Sequence, residues 1–257
     1  MQLADRVAVV TGSDSGIGQA TAIEFAMEGA DVVVTYHDDR RGADETAAQV
    51  EKAGRRALVF DLDVSDEASV EALFDAAMSE FGRVDILVND AGVDASGTPV
   101  ADLDTETWDR AIRTNLYGYF FCCRRFIRER KKAGGGGKII NVTSVHDEIA
   151  RAGAADYDVT KAGQKMLTKT LALELAELQI NVNSIGPGMV LTPFNQKAID
   201  DPKVLEEQVQ SIPLKRAAEP REIARLAVYL ASADADYVHG ATVYIDGGHM
   251  QNQGQGA

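Results

Sequence analysis

Three polar side chains between Lys138 and Lys169 could together move a proton to or from a substrate oxygen. Tyr157 and Lys161 are four residues apart in a run that is compatible with a helix, so both side chains would lie on one helical face. Ser144 lies thirteen residues before the tyrosine, where an apolar, β-branched run ends. A free tyrosine titrates near pH ~10, and a neighbouring ammonium group would lower that pKa. The spacing predicts a proton-transfer site, although Tyr157 and Lys161 could also lie on the surface of an amphipathic helix.

Strands and helices alternate on both sides of these residues and would position them. This alternation predicts an α/β fold, a single-domain doubly wound parallel sheet of seven strands with helices on both faces. Residues 189–214 have weaker periodicity and several prolines, which predicts a substrate lid with a short helix. Residues 250–257 are polar and glycine-rich and would form a C-terminal tail. The predicted strands cover residues 6–11, 31–36, 56–60, 84–88, 139–142, 180–185 and 242–245.

A glycine-rich turn joins the first predicted strand to the helix that follows it. The turn has the sequence Gly12-Ser13-Asp14-Ser15-Gly16-Ile17-Gly18. Glycines allow close approach of a ligand, and the free N–H groups of a helix N-terminus attract anions. This arrangement predicts a cradle for a pyrophosphate, although the turn could also be purely structural.

The other candidate ligand groups also follow strand ends. After the third strand, an adenine could lie against Val64 with its amino group on the Asp63 carboxylate, unless Asp63 caps a loop. Ligands of such sheets bind beyond the carboxyl ends of the strands. The groups that follow strand ends are Gly12–Gly18, Asp63, Asn89–Gly92, Ser144 and Pro187-Gly188. Their coincidence at one edge of the sheet is a stronger argument for a ligand site than any single motif.

The composition disfavours several other classes of function. The 257 residues carry 40 acidic and 26 basic side chains, for a formal net charge of −14, which disfavours binding to nucleic acid or to an anionic membrane surface. No apolar run approaches the ~18 residues of a membrane span, and the N-terminus lacks a signal-peptide pattern, so we expect a cytoplasmic protein. Cys122 and Cys123 lie in an apolar stretch and predict buried thiols, and the four scattered histidines predict no metal site.

Several motifs, taken together, resemble those of the short-chain dehydrogenase/reductase family along essentially the whole chain. They are TGSDSGIG, NDAG, Asn115, Ser144, YDVTK and the GPG after the sixth strand. The resemblance implies a Rossmann-type fold, a nicotinamide dinucleotide cofactor and a homotetramer with two-fold axes. It also suggests that apolar residues of two long helices pair between subunits, with core packing alone as the alternative: Phe120, Phe121, Leu167 and Leu171.

The resemblance implies a division of labour among four catalytic residues. Tyr157 would be the general acid/base, Ser144 would hydrogen-bond the substrate oxygen, and Lys161 would hold the nicotinamide ribose and lower the pKa of the tyrosine. Asn115 would anchor a water molecule that links the lysine to solvent. Asp90 stands where the family usually has an asparagine. We expect this change to alter loop hydrogen bonding and, if the carboxylate approaches the adenosine ribose, to weaken cofactor binding.

The predicted cofactor contacts come from the loops that follow the strands, together with two of the catalytic residues. Thr192, after the GPG motif, matches the family's contact to the nicotinamide carboxamide. The predicted contacts are Gly12, Ser13, Ser15, Gly16, Ile17, Gly18, Tyr36, His37, Asp63, Val64, Asn89, Ala91, Gly92, Tyr157, Lys161, Pro187, Gly188, Val190 and Thr192.

The end of the second strand bears on the choice between NAD and NADP. NAD-preferring members of the family typically have an aspartate there, which accepts a hydrogen bond from the ribose 2′-hydroxyl, whereas this chain has Tyr36. His37, Arg40 and Arg41 could meet a 2′-phosphate, although two aspartates between them offset their charge and the segment could be a solvated loop. We therefore expect use of both cofactors, with a slight preference for NADP.

Within the family, the pattern is closest to that of the glucose 1-dehydrogenases. The shared features are Ser144-Val145-His146 followed by Asp147-Glu148, Asp94 after the NDAG motif, and Thr192-Pro193-Phe194-Asn195. The predicted substrate contacts are Asp94, Ser144, His146, Tyr157 and Asn195. His146 could instead stabilise its loop, and Asp94 could be a solvated loop acid.

The predicted reaction is oxidation of an aldose such as glucose at C1 to give the lactone. Within the same family, the alternative is an NADPH-dependent reductase of ketones or 3-oxoacyl thioesters. A catalytically silent protein that senses dinucleotides or binds a partner is a third hypothesis. The intact set of catalytic residues, Asn115, Ser144, Tyr157 and Lys161, disfavours it.

Overall fold

A parallel β-sheet forms the centre of the fold. In the computed structural model, which describes residues 1–252, seven strands pair in the order β3-β2-β1-β4-β5-β6-β7. They are β1 (Val7–Val10), β2 (Asp31–Tyr36), β3 (Ala57–Asp61), β4 (Ile86–Asn89), β5 (Gly137–Val142), β6 (Ile180–Pro187) and β7 (Thr242–Ile245). The winding direction reverses between β1 and β4, and in such sheets ligands bind at this switch point. The predicted α/β fold class with a doubly wound parallel sheet is confirmed.

Helices cover both faces of the sheet because the strand side chains alternate between two apolar layers. Helices α1, α2 and α9 pack on one face with Ala8 and Val10, whereas α3, α5 and α6 pack on the other with Val9. Across residues 1–252, none of the helices is both long and apolar enough to span a membrane. The helices are α1 (Gly16–Met27), α2 (Arg40–Lys52), α3 (Glu67–Phe81), α4 (Thr105–Ala111), α5 (Gly118–Lys132), α6 (Ala155–Leu175), α7 (Gln196–Asp200), α8 (Pro202–Gln208) and α9 (Pro220–Ala231).

Local sequence signals explain where several helices begin and end. The Asp66 side chain accepts hydrogen bonds from the N–H groups of Ala68 and Ser69 at the start of α3. Gly82 ends this helix in the left-handed conformation, with a φ of 73°. The apolar pattern of residues 66–81 also predicts a helix that ends at Gly82, and these caps explain why the observed helix agrees with it.

The sequence pattern of residues 105–132 predicts a long helical region, and the structure divides this region into three segments. A π-helix from Ile112 to Tyr117 lies between α4 and α5. From this segment the Asn115 side chain accepts a hydrogen bond from the Val93 N–H (2.8 Å) and donates one to the Val93 carbonyl (3.0 Å). Turns of this width often occur at functional sites. Here the turn ties the helical region to the loop that follows β4.

The predicted lid, residues 189–214, lies beside the carboxyl edge of the sheet. It contains two short helices, α7 and α8, where the sequence predicted one. Val209 and Ile212 pack with Ala217 in a small apolar cluster that is separate from the two main layers. The predicted C-terminal tail begins in a 3-10 turn, His249–Asn252, and its residues 253–257 lie outside the described part of the chain.

Candidate active site

A cleft of about 880 Å³ opens at the carboxyl edge of the sheet, where the motifs predict a ligand site. Its wall includes the glycine-rich turn after β1, the loops after the other central strands and part of the predicted lid. The predicted residues that line it are Gly12, Ser15, Gly16, Ile17, Tyr36, His37, Asp63, Val64, Ala91, Gly92, Asp94, Ser144, His146, Tyr157, Lys161, Pro187, Gly188, Val190, Thr192 and Asn195. The structure therefore brings most of the predicted contacts to one cleft.

Two of the predicted cofactor contacts have side chains that point into the protein. The Ser13 hydroxyl is buried and donates to the Val10 carbonyl (2.8 Å). Asn89 is also buried, and its amide group donates to Asn141 Oδ1 (2.8 Å), which links β4 to β5. Both side chains hold strand ends together. Sequence alone does not separate this role from ligand contact, because a polar residue after a strand suits either.

Asn115 also lies behind the cleft wall and connects two elements of the site. Its amide group donates to Thr160 Oγ1 on α6 (3.3 Å), and its side chain is fully buried. Its main-chain carbonyl accepts a hydrogen bond from Gln164 Nε2 (2.5 Å). Asn115 is therefore placed as a positioning residue, and the water-anchoring role implied by the resemblance stays a prediction.

Ser144, Tyr157 and Lys161 come together in the cleft, as their spacing predicts. Lys161 Nζ lies 5.3 Å from the centre of the Tyr157 ring and donates to the Val142 carbonyl (3.0 Å). Ser144 follows β5, and its Oγ accepts a hydrogen bond from the His146 N–H (3.1 Å) while the same hydroxyl group interacts with Tyr157. A hydroxyl, a phenol and an ammonium group thus surround one position that a substrate oxygen could occupy.

Burial controls the ionisation of Tyr157 and Lys161. Burial raises the pKa of Tyr157 above its usual value, and the Ser144 hydroxyl group opposes the rise. We expected the lysine to lower this pKa, but desolvation of the phenol is the larger effect. Burial lowers the pKa of Lys161 to about 8, and the nearby carboxylates of Asp90 and Asp147 oppose this change. At neutral pH the phenol is therefore protonated and the lysine is charged.

The glycine-rich turn has the shape and the free donors that a pyrophosphate requires. The N-cap residue of α1, Ser15, makes no side-chain capping hydrogen bond within the described chain, so the N–H groups of Gly16 and Ile17 remain available to an anion. Gly12 has a φ of 66°, and a Cβ atom on it would lie 2.9 Å from Ala91 Cα. A Cβ atom on Gly18 would overlap the Gly12 carbonyl group. These residues fit a dinucleotide, which larger side chains in the turn would exclude.

At the predicted adenine end of the cleft, Asp63 has two roles. It lines the cleft, and its Oδ1 accepts hydrogen bonds from the N–H (2.8 Å) and the hydroxyl group (2.7 Å) of Ser65. Asp63 therefore caps its loop, as the alternative proposed, and retains a second carboxylate oxygen for an adenine amino group. Val64 is buried at the cleft wall, where an adenine ring could pack against it.

The charged side chains that line the cleft beside the predicted adenosine ribose are acidic, whereas the sequence suggested that Arg40 and Arg41 could meet a 2′-phosphate there. Arg40 pairs with Asp44 (2.9 Å) and Arg41 with Glu45 (2.8 Å), both along α2. These i, i+4 pairs hold the two guanidinium groups on the helix surface. The neighbouring cleft lining instead carries the carboxylates of Asp14, Asp38 and Asp39.

Two of the predicted substrate contacts present hydrogen-bond acceptors. The His146 ring lies 6.1 Å from the Tyr157 ring, and its Nδ1 is 2.8 Å from the Ile149 carbonyl oxygen. This contact needs a proton on Nδ1, so Nε2 of the neutral ring is an acceptor. The amide group of Asn195 donates to the Val190 carbonyl (2.8 Å), which leaves the Asn195 side-chain oxygen as an acceptor. His146 therefore stabilises its loop and also keeps one nitrogen for a ligand.

The third predicted contact, Asp94, lies where the cleft meets solvent. Its side chain is about half exposed, its Oδ1 accepts a hydrogen bond from the Ala95 N–H (2.7 Å), and Arg151 approaches to 3.7 Å. Arg151 and His249 also line the cleft, and His249 Nδ1 is buried without a hydrogen-bond partner in residues 1–252. The sequence missed both residues because neither belongs to a motif or follows a central strand.

A hydrogen-bonded cluster behind the loop that follows β5 was not predicted from the sequence. The Tyr244 hydroxyl donates to the buried Asp147 carboxylate (2.5 Å). Lys165 donates to the Tyr244 hydroxyl (2.7 Å) and pairs with Glu148. The cluster ties the loop after β5 to α6 and β7. The available signal was the position of Lys165, one helical turn after Lys161.

The cysteines and histidines form neither a redox pair nor a metal site in the described chain. Cys122 and Cys123 are free and buried, and burial raises the pKa of both thiols. Over residues 1–252, no group of three or more His, Cys, Asp or Glu side chains could hold a metal ion.

Known proteins are similar to this chain over nearly its whole length. The family model described as enoyl-(acyl carrier protein) reductase matches residues 11–250. The chain is 44% identical over 246 residues to 3β-hydroxysteroid dehydrogenase 1 of Eggerthella lenta, covering 96% of this chain and 94% of that protein. The chain is a short-chain dehydrogenase/reductase.

Two further proteins are also similar to this chain over nearly their whole length. Glucose 1-dehydrogenase 2 of Bacillus subtilis is 38% identical over 248 residues, covering 96% of this chain and 95% of that protein. A solved structure described as a 2-deoxy-D-gluconate 3-dehydrogenase of Agrobacterium tumefaciens, with bound NADP, has 34% identity and a TM-score of 0.89, covering 97% and 98% of the two chains. This short-chain dehydrogenase/reductase is an NAD(P)-dependent oxidoreductase of alcohol and carbonyl groups.

Proposed function

We propose that this short-chain dehydrogenase/reductase oxidises the C1 hydroxyl group of an aldose such as glucose to give the lactone. The observation that carries the proposal is the set of acceptors that the cleft offers around Tyr157. His146 Nε2, the Asn195 side-chain oxygen and the Asp94 carboxylate can each accept a hydrogen bond. A sugar carries several hydroxyl donors that match these groups, whereas a simple ketone offers only acceptors.

The residues of the chain supply the acid–base part of this reaction. Ser144 donates a hydrogen bond to the substrate oxygen, and Tyr157 in its phenolate form receives the proton that this oxygen loses. The bound dinucleotide supplies the hydride acceptor. Because burial raises the pKa of Tyr157, its action as a base depends on nearby positive charge, which Lys161 provides at 5.3 Å from the ring.

A substrate panel followed by the absorbance of reduced nicotinamide tests this proposal. We expect turnover of glucose, with a kcat/KM about tenfold or more above that of 2-deoxyglucose, because an acceptor left unpaired costs about 1–3 kcal/mol. Cyclohexanol, which has a single hydroxyl group, should be a poorer substrate still. Turnover of alcohols or ketones without turnover of any aldose would reject the sugar assignment.

An NADPH-dependent reductase of ketones or 3-oxoacyl thioesters is the second candidate. Two observations favour it: Tyr157 is protonated at neutral pH and can donate to a carbonyl oxygen, and Met189, Phe194 and Ile212 give the lid side of the cleft an apolar surface. Rapid reduction of acetoacetyl thioesters or cyclic ketones in the same panel, with inert aldoses, would establish this function instead.

We also propose that both cofactors bind, with NAD bound a few-fold more tightly than NADP, which reverses the slight preference expected from the sequence. The carboxylates beside the ribose would repel a 2′-phosphate, and Arg40 and Arg41 are engaged along α2. Replacing Asp38 by asparagine should lower the ratio of NAD to NADP affinity about two- to fivefold, since Asp38 is exposed and its charge is screened. The exposed Glu51→Gln variant is the control. Tighter binding of NADP by the wild type would contradict this proposal.

Assembly as a homotetramer in the cytoplasm completes the proposal. Phe120, Met166 and Leu173 are 42%, 60% and 85% exposed on α5 and α6, which leaves apolar surface for a second subunit. Leu171, which we expected at the interface, is instead buried in the core.

The free thiols suit a reducing compartment. Light scattering should give the mass of a tetramer at micromolar concentration, and a monomer would rule the assembly out.

A further inference from the structure

Asp90 occupies the boundary between the cofactor end and the catalytic end of the cleft. It follows β4 and lines the cleft. The N–H groups of Asp90 and Ala91 both donate to Thr11 Oγ1, at 3.0 and 3.1 Å, so the main chain at this position is fixed to the end of β1. The backbone that carries the Asp90 side chain is therefore fixed beside the cleft.

The Asp90 side chain lies against the first turn of α1. Its carboxylate lies close enough to the Gly18 N–H to be stabilised by it, and a Cβ atom on Gly18 would lie 2.9 Å from Asp90 Oδ2. The same helix start carries the free N–H groups that fit a pyrophosphate. The carboxylate and the anionic part of a dinucleotide therefore share one helix N-terminus.

Charged and titratable groups face Asp90 from three sides. Lys161 faces it from α6, Asp14 from the glycine-rich turn, and Tyr119 from α5. Burial raises the pKa of Asp90 to about 7, although Lys161 and the Gly18 N–H oppose the rise. A carboxyl group with a raised pKa is neutral below that pH and becomes negative as the pH rises through it. Asp90 therefore changes charge near neutral pH.

We propose that Asp90 couples dinucleotide binding to proton uptake: the neutral carboxyl group admits the anionic pyrophosphate at the start of α1, and the ionised carboxylate opposes it. The family usually has an asparagine here, which has the same size and cannot ionise. The coupling is therefore a property of this chain and its aspartate. It requires the nicotinamide cofactor and does not depend on which substrate is oxidised.

The same carboxylate supports the charge of Lys161. Asp90 is the largest of the influences that raise the pKa of Lys161 against desolvation. Removing the carboxylate should therefore let Lys161 lose its proton at a lower pH. Replacing Asp90 by asparagine is therefore expected to have two effects on the pH dependence of cofactor affinity. The decrease in affinity that follows ionisation of Asp90 near pH 7 disappears. The decrease in affinity that follows deprotonation of Lys161 begins at a lower pH than in the wild type.

The direct test is the affinity for NADH, measured by fluorescence from pH 5.5 to 8.5 in the wild type and in Asp90→Asn. Between pH 6 and 7.5 we expect the wild-type affinity to fall about three- to tenfold and that of Asp90→Asn to fall by a smaller factor, since only the loss of the Lys161 charge then remains. Asp102→Asn, which removes an exposed carboxylate from the loop before α4, should titrate like the wild type. Equal pH dependence in the wild type and Asp90→Asn over this window would overturn the proposal.

Thermal unfolding without added dinucleotide gives a second measurement. The wild type should lose stability relative to Asp90→Asn as the pH rises from 5.5 to 8. Over this range the Asp90 carboxylate becomes ionised inside the folded protein, whereas in the unfolded chain water solvates it freely. The gap between the two melting temperatures should therefore widen over this range. A gap that is the same at both ends of the range would show that Asp90 does not ionise there, and would also overturn the proposal.

Discussion

Replacing Tyr157 by phenylalanine is expected to lower kcat/KM about a thousandfold while leaving the fold intact. The substitution removes the phenolic oxygen, which is the group placed to exchange a proton with the substrate, and positioned acid–base groups contribute about 10²- to 10⁴-fold. The ring itself keeps its packing, including the edge-on contact with His146 at 6.1 Å. The measurement is steady-state turnover together with the melting temperature, which should change little.

A matched Tyr→Phe control separates this effect from loss of a surface hydroxyl group. Tyr229 lies on α9 and is 41% exposed, so Tyr229→Phe should keep kcat/KM within about twofold of the wild type. If Tyr157→Phe turned over substrate as fast as the wild type, the phenol would not be the acid–base group. The chain would then be better described as a dinucleotide-sensing or partner-binding protein.

Replacing Lys161 by methionine should lower kcat/KM about a hundredfold or more and weaken NADH binding as well. Methionine fills a similar volume but removes the positive charge that Tyr157 needs as a base and that the ribose site is predicted to use. The fold should tolerate this change because the Val142 carbonyl, which accepts from Lys161, also accepts from the Tyr119 hydroxyl (2.8 Å). Turnover and NADH affinity are measured on the same samples.

The control for this substitution lies two helical turns further along α6. Lys169 is exposed, so Lys169→Met should behave like the wild type. Because the pKa of Lys161 is lowered to about 8, the wild type should lose NADH affinity as the pH rises through this value. In Lys161→Arg the guanidinium stays charged, so this loss should disappear. A wild type and a Lys161→Met variant with the same affinity at pH 7 would contradict the assigned role.

The sequence predicted the location of the site well because a parallel sheet collects its strand ends at one edge. Gly12, Ser144 and Tyr157 are far apart in the chain, yet each lies in or next to a segment that follows a buried strand. Once the strand pattern is recognised, the topology brings these segments together. The helix spacing of Tyr157 and Lys161 likewise fixes their common face before any coordinates are known.

Side-chain orientation and ionisation could not be predicted in the same way. Leu171 has the pattern of both a core and an interface residue, and its burial depends on how α6 packs against the sheet. The pKa of Tyr157 depends on the balance between desolvation and nearby charge, which a sequence does not contain. The arginines after β2 pair with acids one turn away, and a motif count cannot distinguish this pairing from phosphate contact.

The π-helix at Ile112–Tyr117 makes the length of this segment a strict requirement. An α-helix turns by about 100° per residue. Deletion of one residue from the π-helix would restore regular α-helical winding. The helix on one side of the deletion would then be rotated by about 100° relative to the helix on the other side. Either Asn115 would lose Val93 and Thr160, or the buried face of α5 would leave the sheet. Single-residue deletions in this stretch should therefore be far more harmful than those in the loop at residues 99–103, although neither stretch contacts the reacting atoms.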